Sequence, residues 1–224
     1  MPLERVDDDV WIQAAPQTMY GLRLGTRMTV VRLPGGELWV HSPIPLDEAL
    51  RDELRELGPV AHVVAPNLYH HLHVGPLAAA FAGARVHAPP GLRRKRPDLR
   101  IDADLGDGAS FGGVLTGFAI AGTWLEEVVF HHRPSNLLIC ADLLQNFTRP
   151  CPHLLTRAYL KLGGVDQRPG VEWFLRVMFR DRARARAGVD AVLATGFDGI
   201  VLAHGEPIAA GGREVLAASY VWLK

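Results

Sequence analysis

Three histidines fall within four positions, His70-His71-Leu72-His73. Two more are adjacent at His131-His132, and Asp142 and His204 each follow a short apolar run. Neutral imidazole and carboxylate are the side chains that hold zinc, iron or manganese. A cation held this way polarises a carbonyl or phosphoryl oxygen and acidifies water. Metal-assisted chemistry is therefore the first reading of the chain. Its 10 histidines in 224 residues are the compositional excess that prompts it.

The elements that must position these residues read as follows. Residues 28–33 and 37–41 are strands around the hairpin signal Pro34-Gly35-Gly36. Residues 46–57 put Leu46, Ala49, Leu50, Leu54 and Leu57 on one helical face, closed by Gly58-Pro59. Strand 60–65 leads into the histidine loop, and Pro76 suits the start of a helix. Further strands are expected at 84–88, 114–120, 124–130, 137–141 and 199–203, with helices at 171–187 and 212–223. Early strands followed by alternating strands and helices favour sheets covered by helices. His70 and His73 follow strand 60–65, His131 and His132 follow strand 124–130, Asp142 follows 137–141, and His204 follows 199–203. Open α/β sheets bind ligands at the carboxyl ends of their strands. Four strand ends are thus expected to converge on one site.

The composition bounds the rest. Hydrophobic residues make up 48%, ample for one domain, taken as residues 1–224. Lys+Arg and Asp+Glu are 24 each, so no whole-chain attraction to nucleic acid or membrane is expected. Two cysteines make no disulfide framework. The opening MPLERVDDDVW lacks the apolar core of a secretory signal, and a cytoplasmic location is expected. Of the basic runs, Arg93-Arg94-Lys95-Arg96 faces Asp98, Asp102, Asp104 and Asp107. The run through Arg176, Arg180, Arg182, Arg184 and Arg186 is partly offset by Glu172 and Asp181. Both are read as solvated faces.

The blocks Pro66-Asn67-Leu68-Tyr69-His70-His71-Leu72-His73-Val74-Gly75-Pro76, Phe130-His131-His132-Arg133-Pro134-Ser135-Asn136-Leu137, Ala141-Asp142-Leu143 and Ala203-His204-Gly205 resemble those of the metallo-β-lactamase-fold superfamily. More narrowly, they are similar to a branch of unknown function found in bacteria and plants. The resemblance implies a four-layer αββα sandwich with one or two metal ions at one edge. Carried over residue by residue, it implies His70, His73, His132, Asp142 and His204 as ligands. It also implies zinc, with iron or manganese as alternatives, and a metal-bound hydroxide attacking a small ester, lactone, thioester or phosphoester. The superfamily's first block has a His where Leu68 stands and an Asp where Leu72 stands. The missing acid leaves proton handling to His71, His131 or Tyr69. The sequence does not choose among these; Asp142 and His71 are carried forward as catalytic. The leucines equally suit a second class, a non-catalytic binding module on a degenerate scaffold. Asp142 alone also reads as a residue capping backbone N–H groups. A small-molecule substrate, no nucleic acid and no membrane are the expected partners.

Overall fold

β-branched and aromatic residues dominate the runs that pair, and their alternation sets the layers. In the computed structural model, which describes residues 2–223, a first sheet collects β1 (Glu4–Asp7), β2 (Val10–Ala15), β5 (Thr26–Arg32), β6 (Leu38–His41), β7 (Val60–Val64), β8 (Arg85–Ala88) and β9 (Ala103–Asp104), in that order. A small hairpin, β3 (Thr18–Met19) with β4 (Leu22–Arg23), is inserted after β2. The second sheet runs β10 (Ser110–Phe111), β11 (Leu115–Ala119), β12 (Val128–His132), β13 (Leu137–Ile139) and β16 (Gly199–Val201). A minor pair, β14 (Gln145–Asn146) and β15 (Pro169–Gly170), lies between them in sequence. Helices are α1 (Glu48–Leu57), α2 (Val74–Ala80), α3 (Gly91–Lys95), α4 (Leu154–Gly163), α5 (Trp173–Val177), α6 (Arg182–Leu193) and α7 (Gly212–Ser219).

Successive strand residues face opposite ways. Val30, Val40 and Val63 pack with Leu50 and Leu54 of α1 and Leu77 of α2 on one side of the first sheet. Their neighbours Val31, Trp39 and Val64 pack with Phe130, Ile139 and Val201 of the second sheet. On that sheet's far side, Val129, Leu138 and Ile200 pack with Val189 and Val192 of α6 and Leu216 of α7. The layers are therefore helix, sheet, sheet, helix, as expected.

Strand direction decides which ends meet. β6, β7 and β8 are parallel, with α1 and α2 as crossovers, so the chain leaves β7 at the edge where the histidine loop begins. β13 and β16 are parallel, which brings Asp142 and His204 out at one edge. β12 is antiparallel to β13: Phe130 pairs with Ile139, but His132 pairs with Leu137. His131 and His132 therefore lie inside a strand, at the edge away from Asp142. This corrects the expectation that all four strand ends converge. Strand 124–130 is displaced to Val128–His132, and the residue before it, Glu127, takes the place beside Asp142.

Two helices also differ from expectation. The apolar pattern of 171–187 divides into α5 and α6, because Asp181 accepts from the Arg184 N–H and starts a new helix. α4 was not foreseen; His153 caps it through Thr156, and Gly164 ends it at φ 76°. Among the described residues, no helix is long and apolar enough to cross a membrane.

Gly205, after His204, has φ 92°, and a Cβ there would overlap the Asn146 backbone carbonyl. Gly205→Ala is expected to destabilise the fold by about 2 kcal/mol or more, read as a lowered midpoint in urea. An unchanged midpoint would count against this placement of the His204 turn.

His41 is 1% exposed, stacks on Trp39 with ring centroids 5.3 Å apart, and meets Phe130 edge-on. Burial, with the nearby His70, lowers its pKa to about 3. The folded state thus holds this ring neutral while the unfolded chain protonates it near its ordinary 6.5. Its contribution to stability is complete above that value and is lost as pH falls from 6.5 toward 3. His41→Gln should flatten the fall of unfolding free energy below pH 6.5 by up to about 1.4 kcal/mol per pH unit. Parallel pH profiles for the two proteins would contradict it.

Candidate metal centre

The loop after β7 is shaped by Asn67, which is fully buried. Its Oδ1 accepts the backbone N–H groups of Tyr69 (2.8 Å) and His70 (2.9 Å), a local turn of the kind asparagine favours. Its Nδ2 donates to Asp142 Oδ2 at 2.8 Å and to Glu127 Oε2 at 3.3 Å. One side chain therefore ties the first sheet's loop to the second sheet's edge. Glu127 accepts the backbone N–H groups of Ala141 (2.7 Å) and Asp142 (3.0 Å to Oε2), fixing the chain as it leaves β13.

This anchoring brings His70, Asp142 and His204 together, all buried. His70 Nε2 lies 3.4 Å from Asp142 Oδ2, His204 Nε2 lies 3.3 Å from Asp142 Oδ1, and the two Nε2 atoms are 3.2 Å apart. Zinc–nitrogen and zinc–oxygen bonds of about 2.0–2.2 Å in a tetrahedron separate donors by about 3.3–3.5 Å. The two His70 and His204 Nε2 atoms are thus spaced as neighbouring tetrahedral ligands, and each faces its own oxygen of the Asp142 carboxylate.

The far ring nitrogens support the same reading. His204 Nδ1 lies 2.8 Å from the Gly25 carbonyl, which only accepts, so Nδ1 carries its proton and the neutral ring aims an Nε2 lone pair inward. His70 Nδ1 is held by the Ser42 hydroxyl at 2.7 Å. Ligating histidines are fixed through their second nitrogen in this way. Two imidazole Nε2 atoms and a carboxylate converging on one buried point call for a cation or protons between them. The charge shifts follow. Burial alone would raise the Asp142 carboxyl, but His70 and His204 more than offset it and hold it well below the ordinary range. Burial alone would lower His204, yet the Asp142 carboxylate wins and raises it. Glu127, buried and beside Asp142, is pushed up.

Of the other sequence-derived candidates, Tyr69 lines the pocket above the cluster, and the rest lie elsewhere. His73 is the residue before α2, with no side-chain cap bond, and is outside the cluster. His132 faces Asp7 and Asp9, with Nδ1 2.6 Å from the Ser135 hydroxyl. His71 turns to α3, where Arg96 donates to its Nδ1 at 3.0 Å; burial, Lys95 and Arg96 lower it to about 4. It does not line the pocket above the cluster. Leu68 packs into the core, and Leu72 is 52% exposed. Asp142 caps no helix: its carboxyl faces the imidazoles. Asn67 and Glu127 escaped sequence reading. Asn67 was legible only as a turn former after proline, and Glu127 only as an acid ahead of an apolar strand.

The cluster sits in a pocket of about 310 Å³. Its walls include Met19, Leu22, Leu24, Leu125 and Met178, with Tyr159 and Glu172 among the few polar groups. Burial pushes up the Glu172 carboxyl, whose Oε2 has no hydrogen-bond partner among the described residues.

Comparison with known proteins gives the fold. Residues 7–92 match the family described as Domain of unknown function (DUF4336). No curated protein matches the sequence. Solved structures match over the full length. One is a metallo-β-lactamase from Pontibacter korlensis: TM-score 0.66, 12% identity, covering 99% of this chain and 98% of that chain. A second is a metallo-β-lactamase from Hirschia baltica: TM-score 0.64, 14% identity, covering 99% and 96%. A third is the metallo-β-lactamase FIM-1 from Pseudomonas aeruginosa in the mono-zinc form: TM-score 0.67, 15% identity, covering 99% and 94%.

Asn67→Ala would leave two buried carboxylates and two backbone N–H groups short of a partner. A loss of about 3 kcal/mol in unfolding free energy is expected. A loss below about 1 kcal/mol would show that Asn67 does not tie the two sheets.

Proposed function

From the premise that this chain has the metallo-β-lactamase fold, with a DUF4336 match over residues 7–92 and a buried His-Asp-His cluster able to hold a metal, we propose that it is a metal-dependent hydrolase. Its substrate is a small ester, lactone, thioester or phosphoester with an apolar portion. The observation that carries the reading is the buried convergence of His70, Asp142 and His204, with the two Nε2 atoms 3.2 Å apart and each within 3.4 Å of one Asp142 oxygen. A divalent cation bound there supplies polarisation of a carbonyl or phosphoryl oxygen and acidification of water. Zinc is the default for two imidazoles and one carboxylate, with iron or manganese as alternatives.

The residues divide the work. His70 and His204 hold the cation through Nε2, each ring oriented through Nδ1 by Ser42 or the Gly25 carbonyl. Asp142 contributes the balancing negative charge, and Asn67 and Glu127 position it. Glu172 and Tyr159 line the pocket and take the proton-handling role expected of His71. The apolar walls exclude water and accept the substrate's hydrocarbon part. Three convergent protein donors support one ion.

The second reading, a binding module on the same scaffold, is favoured by the absence of His73 and His132 from the cluster. Elemental analysis and chelation separate the two. The protein purified without added metal should contain about one ion per chain. Asp142→Ala and His204→Ala should contain almost none. Chelator should lower the melting temperature, because metal at 100 to 1,000 times its Kd stabilises the folded state by about 2.7–4.1 kcal/mol. Near-zero metal with a melting temperature indifferent to chelator would leave only the module.

A further inference from the structure

Charge balances over the chain but not over its surface. The first basic run is partly neutralised locally: Arg93, Arg96 and Arg100 pair with Asp104, Asp98 and Asp102, while Lys95 donates to the Leu68 carbonyl. Further on, Arg186 of α6 pairs with Asp190. Between them, Arg149, Lys161, Arg168, Arg176 and Arg180 are exposed, and none forms an ion pair among the described residues.

The same stretch exposes large apolar side chains. Leu154 is 79% and Leu162 81% exposed, and Leu155, Trp173, Phe174 and Val177 are exposed beside them. Tyr20, at the tip of the β3–β4 hairpin, is 93% exposed. These residues belong to one face. The hairpin rests on α4: the Arg23 N–H donates to Thr156 Oγ1 at 2.8 Å, and a Cβ on Gly21 would lie 3.7 Å from Leu155. α4 meets the start of α5 where Gly163 abuts Glu172. Tyr20, Tyr159 and Phe174 line the same pocket as the metal cluster. Contiguous exposed apolar surface rimmed by charge marks an interaction site.

The chemistry selects the occupant. Leucines offer no flat ring for bases to stack on, so nucleic acid would leave them in water. Pairing two copies about a two-fold axis would set the same unpaired cations against themselves. Exposed leucine and tryptophan beside lysine and arginine suit a bilayer boundary. There the apolar groups enter the acyl region and the cations meet anionic headgroups.

We infer that the face formed by α4, α5 and the β3–β4 hairpin docks on an anionic lipid surface. The pocket opens on that face, so its substrate arrives from the lipid phase as an ester or phosphoester carrying a hydrocarbon chain. This last clause rests on the hydrolase reading; the docking does not.

The test is co-sedimentation of the full chain with vesicles of phosphatidylglycerol in phosphatidylcholine, and with phosphatidylcholine alone. Binding to the anionic vesicles should be about tenfold or more tighter than to neutral ones, and should weaken as salt is raised. The double variant Leu154→Glu/Leu162→Glu should bind about tenfold or more weakly while keeping its melting temperature and metal content, since both side chains face solvent. Lys161→Glu/Arg168→Glu should abolish the preference for anionic vesicles. Asp142→Ala should lose metal yet still sediment with vesicles, so failure of the hydrolase reading is distinguishable from failure of docking. Three results would overturn the inference: no anionic preference, equally tight binding to soluble polyglutamate, or a dimer in ultracentrifugation that the leucine variant dissociates.

Discussion

Two imidazoles and a carboxylate converge on one buried point, and the rest of the molecule must hold them there. His70, Asp142 and His204 come from three separate segments and two different sheets. Each is fixed from behind: His70 by Ser42, Asp142 by Asn67 with Glu127, and His204 by the Gly25 carbonyl. Such an arrangement is costly without a positive charge at its centre. The Asp142 carboxylate raises the His204 imidazole against the opposing effect of burial.

The two sheets supply the rigidity. Trp39, Phe130 and Phe111 pack between them, with Trp39 and Phe130 4.9 Å apart and nearly perpendicular, so the sheets move as one body. A cluster assembled across the seam of such a core inherits its precision. Three side chains converging on one point need that support, because ligation is sensitive to smaller errors than loops tolerate.

Above the cluster the demands reverse. The pocket walls are apolar and continue onto an apolar, cationic surface around α4 and α5. Whole-chain neutrality concealed this surface, because the acids that cancel the arithmetic sit beside other arginines. Position, more than total, decides what a charged protein attracts.

The sequence by itself determined the layers and much of the site. Alternation of apolar residues placed β5, β6, β7 and β8, the amphipathic pattern placed α1, and runs ending in His or Asp pointed to His70, Asp142 and His204. These are local signals, readable because side-chain periodicity follows backbone geometry. Tertiary structure decided which ends meet. The antiparallel course of β12 sent His132 to the opposite edge and put Glu127 beside Asp142. The turn made by Asn67 aimed His70 inward and left His71 to Arg96. Strand direction and loop path are set by pairing between distant segments, and residue spacing carries no record of them.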